Sequence, residues 1–197
     1  MISTILFDVD GVLVVGDPFS VTLARDHHIT LEMTAPFFRH GPFEQCLIGK
    51  ADLKVEIASH LPRWGWRGSV AEFLDLWFTT SQQVDAALLA AVQRLRQQGI
   101  RCYLATNQER YRTDYLLTQM GLASQFDGCF SSSQLGCLKE HPAFFQAVLR
   151  ALPGVQASDI LFWDDSPANV ATARAAGLQA EVYTTFASFE QQMRLYT

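Results

Sequence analysis

The feature that most constrains the fold is an alternation of short apolar segments with helical patterns along most of the chain. Each apolar segment is rich in β-forming residues and bounded by turn residues, which is typical of a buried strand. The five segments are STILFDV (3–9), IRCYLAT (100–106), FDGCFSS (126–132), DILFWDD (159–165) and AEVYTT (180–185). Strands that alternate with helices predict an α/β fold, a doubly wound parallel five-stranded sheet with helices on both faces.

The helical patterns between the later strands have recognisable ends. Apolar residues recur at helical spacing and stop at Gly99, at Gly121 and at Pro153-Gly154. Ser166-Pro167 is typical of the start of a further helix, and Gly177 is typical of its end.

One interval breaks this rhythm. About seventy residues lie between the first strand and the helix near residue 85, which is too long for a loop, and they contain no convincing strand. Helical patches at 19–28, 34–46, 51–61 and 70–83, together with several aromatic residues, indicate a helical insertion with its own core. We therefore expect a core domain of residues 1–15 and 85–197 and an inserted helical domain of residues 16–84.

Composition and charge disfavour several kinds of partner. The net charge is -5 without a basic run, so nucleic acid is not an expected partner. No apolar stretch approaches the roughly 18 residues that span a bilayer, and the N-terminal MISTILFDVDG does not resemble a signal peptide. Four cysteines without CxxC spacing are typical of a reduced, cytoplasmic protein. The sequence leaves the oligomeric state open.

Polar residues stand where four of the predicted strands end. Ligands of an open parallel sheet bind at the carboxyl ends of its strands, so we expect these residues to meet at one edge. Alternate side chains of a strand share a face, so Asp8 and Asp10 are expected to point the same way. The groups are Asp8-Val9-Asp10-Gly11, Thr106-Asn107, Lys139 and Asp164-Asp165-Ser166.

These residue types suit phosphoryl transfer, which needs a nucleophile, charge neutralisation and a proton donor for the leaving oxygen. Asp8 can attack phosphorus and form an aspartyl-phosphate. A carboxylate that approaches a phosphate dianion needs a cation between them, and Mg²⁺ usually takes one or two carboxylates together with water and phosphate. Asp8 and one of the Asp164-Asp165 pair can supply those carboxylates.

The motifs resemble those of the haloacid dehalogenase-like (HAD) hydrolase superfamily over the whole chain. The helical insertion resembles the C1 cap of its phosphatase branch, and the resemblance implies a Rossmann-like core. One departure is that the usual Lys-Pro is Lys139-Glu140 here, with a proline retained at Pro142. The matching segments are Asp8 to Val12, Thr106-Asn107, Lys139 to Phe145 and Phe162 to Val170.

The resemblance implies a metal site and an acid-base group. Mg²⁺ would be held by Asp8, by the backbone carbonyl of Asp10 and by Asp165, with Asp164 behind them. The residues alone leave open which of Asp164 and Asp165 is the direct ligand. The Asp10 side chain would then be available to protonate the leaving alkoxide and later to deprotonate water.

The other two motifs would bind the phosphate. Lys139 would stabilise the nucleophile and the phosphate oxygens. The Thr106 hydroxyl and the backbone N–H of Asn107 would hold another phosphate oxygen. Among the basic residues of the insertion, we expect one or two to face the cleft and recognise the substrate. They are Arg39, Lys50, Lys54, Arg63 and Arg67.

We therefore expect a Mg²⁺-dependent phosphatase of a small phosphorylated metabolite, because a capped site excludes polymers. Sugar phosphates are favoured, ahead of nucleotides and phosphoglycolate. A phosphotransferase or mutase would use the same core. A haloacid dehalogenase would need no metal, so Asp10 and the Asp164-Asp165 pair disfavour it. A non-catalytic phosphoacceptor or binding module is an alternative of another class, which the chain order of the acids disfavours.

Overall fold

A parallel sheet forms the centre of the molecule. The computed structural model describes residues 2–39, 41–80 and 82–196. Five strands pair in parallel in the order β5-β4-β1-β6-β7, which confirms the predicted α/β fold. The strands of the described chain are β1 (Thr4–Phe7), β2 (Val14–Val15), β3 (Gln83–Val84), β4 (Arg101–Thr106), β5 (Cys129–Ser131), β6 (Ile160–Asp164) and β7 (Gln179–Val182).

Helices follow most strands, and the helix after β6 begins at the predicted Pro167. None of the described helices has the length and apolar character needed to cross a membrane. The helices are α1 (Phe19–His27), α2 (Leu31–Phe38), α3 (Phe43–Leu47), α4 (Leu53–Ala58), α5 (Val70–Thr80), α6 (Ala86–Gln97), α7 (Arg110–Thr118), α8 (Leu122–Gln125), α9 (Ser132–Leu135), α10 (Pro142–Ala151), α11 (Pro167–Ala175) and α12 (Phe186–Met193), with 3₁₀ turns at Leu61–Trp64 and Ala157–Asp159.

Both faces of the sheet are buried, which explains why its strands read as continuous apolar runs. Phe7 and Trp163 pack on one face, in a cluster with residues of α6 and α12. Leu6 and Phe162 pack on the other face, with residues of α10 and α11. The alternation along β1 and β6 therefore fills two hydrophobic layers from the same two strands.

Helices α1 to α5 pack around a third hydrophobic cluster, which includes Phe37, Trp64, Phe73 and Phe78. The expectation that no strand occurs in this interval is wrong. Val14–Val15 and Gln83–Val84 form an antiparallel ribbon where the chain leaves the sheet and where it returns. Strands of two residues are too short to show a periodic pattern, so the sequence does not reveal them.

The helical insertion lies against the edge of the sheet at two places. The Ser132 hydroxyl donates to the carbonyl of Leu47 at 2.6 Å, and a Cβ on Gly49 would fall 2.3 Å from the carbonyl oxygen of Ser133. On α7, the Tyr111 hydroxyl donates to a carboxylate oxygen of Asp52 at 2.9 Å. These contacts seat the insertion over the carboxyl ends of the strands. Its predicted boundaries, 16–84, stay a prediction.

Candidate active site

The sheet register places Asp8 next to Asp164. Phe7 at the end of β1 is aligned with Trp163 of β6, and the N–H of Asp8 donates to the Trp163 carbonyl at 2.9 Å. Strand β1 ends at Phe7 rather than at residue 9. Asp8 and Asp10 therefore lie in the loop after β1, so the strand alternation expected to point both side chains the same way does not apply to them.

Lys139 lies between two buried carboxylates. Its Nζ is 2.6 Å from Asp8 Oδ1 and donates to Asp164 Oδ2 at 2.7 Å. The N–H of Val9 also donates to Asp8 Oδ1, at 2.7 Å. The side chains of Lys139 and Asp8 are only 2% and 9% exposed. Buried charges of this kind persist when they are paired, and the pairing fixes the orientation of the Asp8 carboxylate.

The Asp164 carboxylate is surrounded by donors from the protein. Besides Lys139, it accepts from the Ser166 N–H at 2.8 Å and from Asn169 Nδ2 at 3.0 and 3.1 Å. Asp164 has no exposed surface. Both of its oxygens are therefore engaged in positioning Lys139 and the start of α11.

Asp165 lies across the loop that follows β1. A Cβ on Gly11 would fall 2.3 Å from Asp165 Oδ2, and Gly11 has φ of +82°. Both features require glycine at this position. Carboxylate oxygens of Asp8, Asp164 and Asp165 lie within 4.8 Å of one another.

This acidic cluster carries more negative charge than its own lysine neutralises. Burial raises the pKa of Asp8 to about 7, with Lys139 opposing and Asp164 adding to the rise. Burial and the charge of Asp164 raise the pKa of Asp165. The pKa of Lys139 is raised because its two carboxylate partners outweigh the effect of burial. Oxygen ligands with surplus negative charge fit a hard divalent cation such as Mg²⁺.

Two of the predicted metal-binding side chains, Asp8 and Asp165, lie in this cluster. The oxygens of Asp164 already accept hydrogen bonds from Lys139 and Asn169, which suits a residue that positions the site without binding the metal directly. The Asp10 side chain is outside the cluster, and its predicted contribution is through the backbone carbonyl. These assignments stay predictions.

The second motif supports the third. Thr106 ends β4 and is 1% exposed. The Asn107 side chain accepts from the Lys139 N–H at 2.9 Å and donates to Glu140 at 2.9 Å. Asn107 thus holds the loop that presents Lys139. A proline at position 140 could not accept the hydrogen bond that Glu140 accepts from Asn107. The phosphate contacts predicted for Thr106 and for the Asn107 N–H stay predictions.

Two residues that sequence reasoning missed contact the Asp10 side chain. Gln108 Nε2 donates to Asp10 Oδ2, and a guanidinium nitrogen of Arg112 lies 3.8 Å from Asp10 Oδ1. Gln108 directly follows Thr106-Asn107, so extending that motif by one residue finds it. Arg112 lies inside α7 and has no sequence signal, because a buried arginine cannot be told from a solvated one by its spacing.

A cavity of about 330 Å³ adjoins Asp10, between the sheet edge and the helical insertion. Its lining includes Asp17, Phe19 and Trp77 from the insertion and Gln108 from the core. The Phe19 and Trp77 rings are stacked with centroids 5.7 Å apart. None of the five basic residues expected to read the substrate is among the described residues that line this cavity.

The sequence is similar to known hydrolases. The family model of haloacid dehalogenase-like hydrolases matches residues 2–177. A phosphoglycolate phosphatase of Rhodospirillum rubrum is 30% identical over 192 residues, which cover 92% of this chain and 79% of that protein.

Solved structures share the fold. A HAD-like family hydrolase from Porphyromonas gingivalis has a TM-score of 0.81 at 22% identity, and the match covers 98% of both chains. A HAD family enzyme from Bacteroides thetaiotaomicron, solved as a magnesium complex, has a TM-score of 0.82 at 19% identity and the same coverage. At these identities the likeness is one of fold.

Proposed function

The chain belongs to the haloacid dehalogenase-like hydrolase family, and we propose that it is a Mg²⁺-dependent phosphatase that acts through an aspartyl-phosphate. The observation that carries this proposal is the Asp8 carboxylate, held by Lys139 beside Asp164 and Asp165. The phosphatase activity of the Rhodospirillum rubrum relative supports the same reaction class.

In the first step, an oxygen of Asp8 attacks phosphorus and the bond from phosphorus to the leaving oxygen breaks. Lys139 keeps the Asp8 carboxylate in one orientation and offsets the charge of the phosphate. The Thr106 hydroxyl and the Asn107 N–H hold a phosphate oxygen. Asp10, protonated at this stage, gives its proton to the leaving alkoxide, so the alcohol departs neutral.

In the second step, Asp10 takes a proton from water. The resulting hydroxide attacks phosphorus, and the bond between phosphorus and the Asp8 oxygen breaks. Inorganic phosphate is released and the Asp8 carboxylate is regenerated. Asp8, Asp165 and the Asp10 carbonyl would hold Mg²⁺. When bound, that ion supplies charge neutralisation between the Asp8 carboxylate and the phosphate dianion.

We propose a sugar phosphate as the favoured substrate, with phosphoglycolate as a second candidate that the Rhodospirillum rubrum relative suggests. The cavity beside Asp10 combines polar groups, Asp17 and Gln108, with the stacked rings of Phe19 and Trp77. Hydroxyl groups and the apolar face of a sugar ring suit that combination. The carboxylate of glycolate would meet a like charge from Asp17 and an opposite charge from Arg112, which also lines the cavity, so phosphoglycolate stays the second candidate.

We also propose that residues 16–84 act as a cap that closes the site against water and polymers. We propose a cytoplasmic location, because the proposed substrates of the protein are small phosphorylated metabolites.

A phosphate-release screen tests the proposed function. Purified protein is incubated with sugar phosphates, phosphoglycolate, nucleotides and p-nitrophenyl phosphate, each with and without Mg²⁺. We expect Mg²⁺-dependent release, highest for a sugar phosphate. Transfer of the phosphate to an added sugar acceptor, in place of release, would favour the phosphotransferase alternative. No release from any of them would contradict the proposal.

A further inference from the structure

Two buried side chains hold the Asp10 carboxylate, and the proposed mechanism assigns neither of them a role. We propose that Gln108 and Arg112 are positioning residues that fix the Asp10 side chain for proton transfer to the leaving oxygen. The inference rests on the proposed function, because it assumes that Asp10 is the acid and base of that reaction.

The Asp10 side chain needs such support. It lies in a loop beyond the end of β1 and is 57% exposed, so its own surroundings leave several rotamers open. Gln108 contacts Oδ2 and Arg112 lies near Oδ1. The hydrogen bond from Gln108 fixes one oxygen, and the guanidinium charge of Arg112 near the other oxygen favours one orientation of the carboxylate. Proton transfer is sensitive to placement at this scale, since a displacement of about 1 Å can cost about a hundredfold in rate.

Arg112 is itself rigidly held. Its guanidinium donates to the carbonyl of Phe78 at 2.8 Å, and it lies over the rings of Phe78 and Tyr115, 5.7 and 5.6 Å from their centroids. Its side chain is 3% exposed. Phe78 belongs to α5 of the insertion, so Arg112 links the position of Asp10 to the point where the insertion rejoins the core.

Burying the charge of Arg112 costs free energy unless groups of opposite charge or hydrogen-bond acceptors compensate it. Burial lowers the pKa of its guanidinium, and the carboxylate of Asp10 opposes that effect. An apolar residue could fill the space beside Phe78 and Tyr115 without this cost. The Asp10 carboxylate is thus one of the groups that offset the burial of this charge.

Gln108 is anchored through its backbone. Its carbonyl accepts from the Ser133 N–H at 3.3 Å and from the Ser132 hydroxyl at 3.4 Å, and only 6% of the residue is exposed. The amide is therefore presented from a fixed loop.

A double-mutant cycle on leaving-group dependence tests the inference. First-turnover burst rates are measured for an alkyl phosphate and for p-nitrophenyl phosphate, in wild type, Arg112→Met, Asp10→Asn and the double variant. We expect Arg112→Met to slow the alkyl burst by about ten- to a hundredfold and the aryl burst much less, because a phenol needs little protonation. In the Asp10→Asn background, Arg112→Met should cost less than about twofold. Equal losses for both substrates that persist in the Asp10→Asn background would overturn the inference.

Control variants separate positioning from folding. Arg110→Met removes an arginine from the same helix that contacts Asp52 of the insertion, and it should leave the ratio of alkyl to aryl rates unchanged. Gln108→Leu provides a second test if Arg112→Met does not fold, and it should lower the same ratio. An unchanged ratio in folded Gln108→Leu would contradict the inference.

Crystal structures decide the inference without substrate. Asp10 should occupy one rotamer in wild type and in Arg110→Met, and several in Arg112→Met or Gln108→Leu. The same single rotamer in all of them would overturn it, whether or not the protein is active. Absence of phosphate release by wild type would instead count against the proposed function alone.

Discussion

At the scale of single residues, Asp8 and Asp10 differ in what surrounds them. Asp8 is buried and paired with Lys139, whereas the side chain of Asp10 is more than half exposed and contacts Gln108 and Arg112. One acid is held where a nucleophile is needed, and the other lies beside the cavity proposed for the leaving group. Their surroundings support separate roles for two acids that are only two positions apart.

The role of Asp10 predicts a leaving-group effect. Asp10→Asn should retain Mg²⁺, because only its backbone carbonyl is assigned to the metal, but it loses the proton donor. General acid-base groups are worth about 10²–10⁴-fold in rate, so the burst with a sugar phosphate should slow by that factor and the burst with p-nitrophenyl phosphate by less. Equal losses together with lost Mg²⁺ affinity, measured by calorimetry, would mean that the side chain serves the metal or the structure.

Replacement of Gly11 is expected to weaken Mg²⁺ binding. In Gly11→Ala the new methyl group would collide with Asp165 Oδ2, so Asp165 must move. We expect the Mg²⁺ concentration for half-maximal activity to rise by about tenfold or more, as supporting changes at metal sites often cost 10–100-fold in affinity.

The matched control is Gly121→Ala, since Gly121 has φ of +71° and no heavy atom near its added Cβ. The Gly121→Ala protein has a similar backbone strain and should melt at a lower temperature than wild type. Its Mg²⁺ concentration for half-maximal activity should be unchanged. An equal Mg²⁺ demand in Gly11→Ala and wild type would contradict the placement of Asp165 at the metal.

At the scale of elements, the turn after α3 contacts helix α9 through Gly49 and Ser133. Gly49→Ala would place a methyl group 2.3 Å from the Ser133 carbonyl and push the insertion away from the sheet. We expect kcat/KM to fall by about ten- to a hundredfold, with the Mg²⁺ demand unchanged. Gly65→Ala is the control in the same insertion, since Gly65 has φ of +84° and open space around it. Equal kcat/KM in the two variants would count against a closing role for the insertion.

The elements that the sequence predicts are those with a local signal. The five strands and the helices after β4, β5 and β6 follow from apolar periodicity and from end residues such as Gly121 and Pro167. The ribbon of β2 and β3 and the contacts of Arg112 are not predictable in this way. They depend on residues far apart in the chain, as with Gln108 and Asp10, which are 98 positions apart.

At the scale of the whole molecule, the site joins the ends of β1, β4 and β6 with the turn between α9 and α10 that carries Lys139, and it is proposed to depend on a cation to balance its acids. The sequence predicts which residues meet there, because parallel strands end at one edge. It does not predict that the oxygens of Asp164 are already engaged by Lys139, Ser166 and Asn169, since that follows from side-chain packing in three dimensions.

Removal of the metal should abolish activity of the intact protein. We expect excess EDTA to stop phosphate release and excess Mg²⁺ to restore it, because the cluster offers oxygen ligands and carries surplus negative charge. The far-UV circular dichroism spectrum should be unchanged by EDTA. Full activity in excess chelator would point to the metal-free chemistry of a dehalogenase.

The most direct test of the account is to trap the phosphorylated enzyme. Protein is mixed with the best substrate of the screen and Mg²⁺, quenched in acid within the first turnover, and digested for mass spectrometry. We predict a phosphoryl group on Asp8 that appears and decays with the burst. Asp8→Asn should fold normally, form no such adduct and lose about 10³-fold or more in turnover. Substantial phosphate release by folded Asp8→Asn, or a phosphoryl group on another residue, would contradict the central claim.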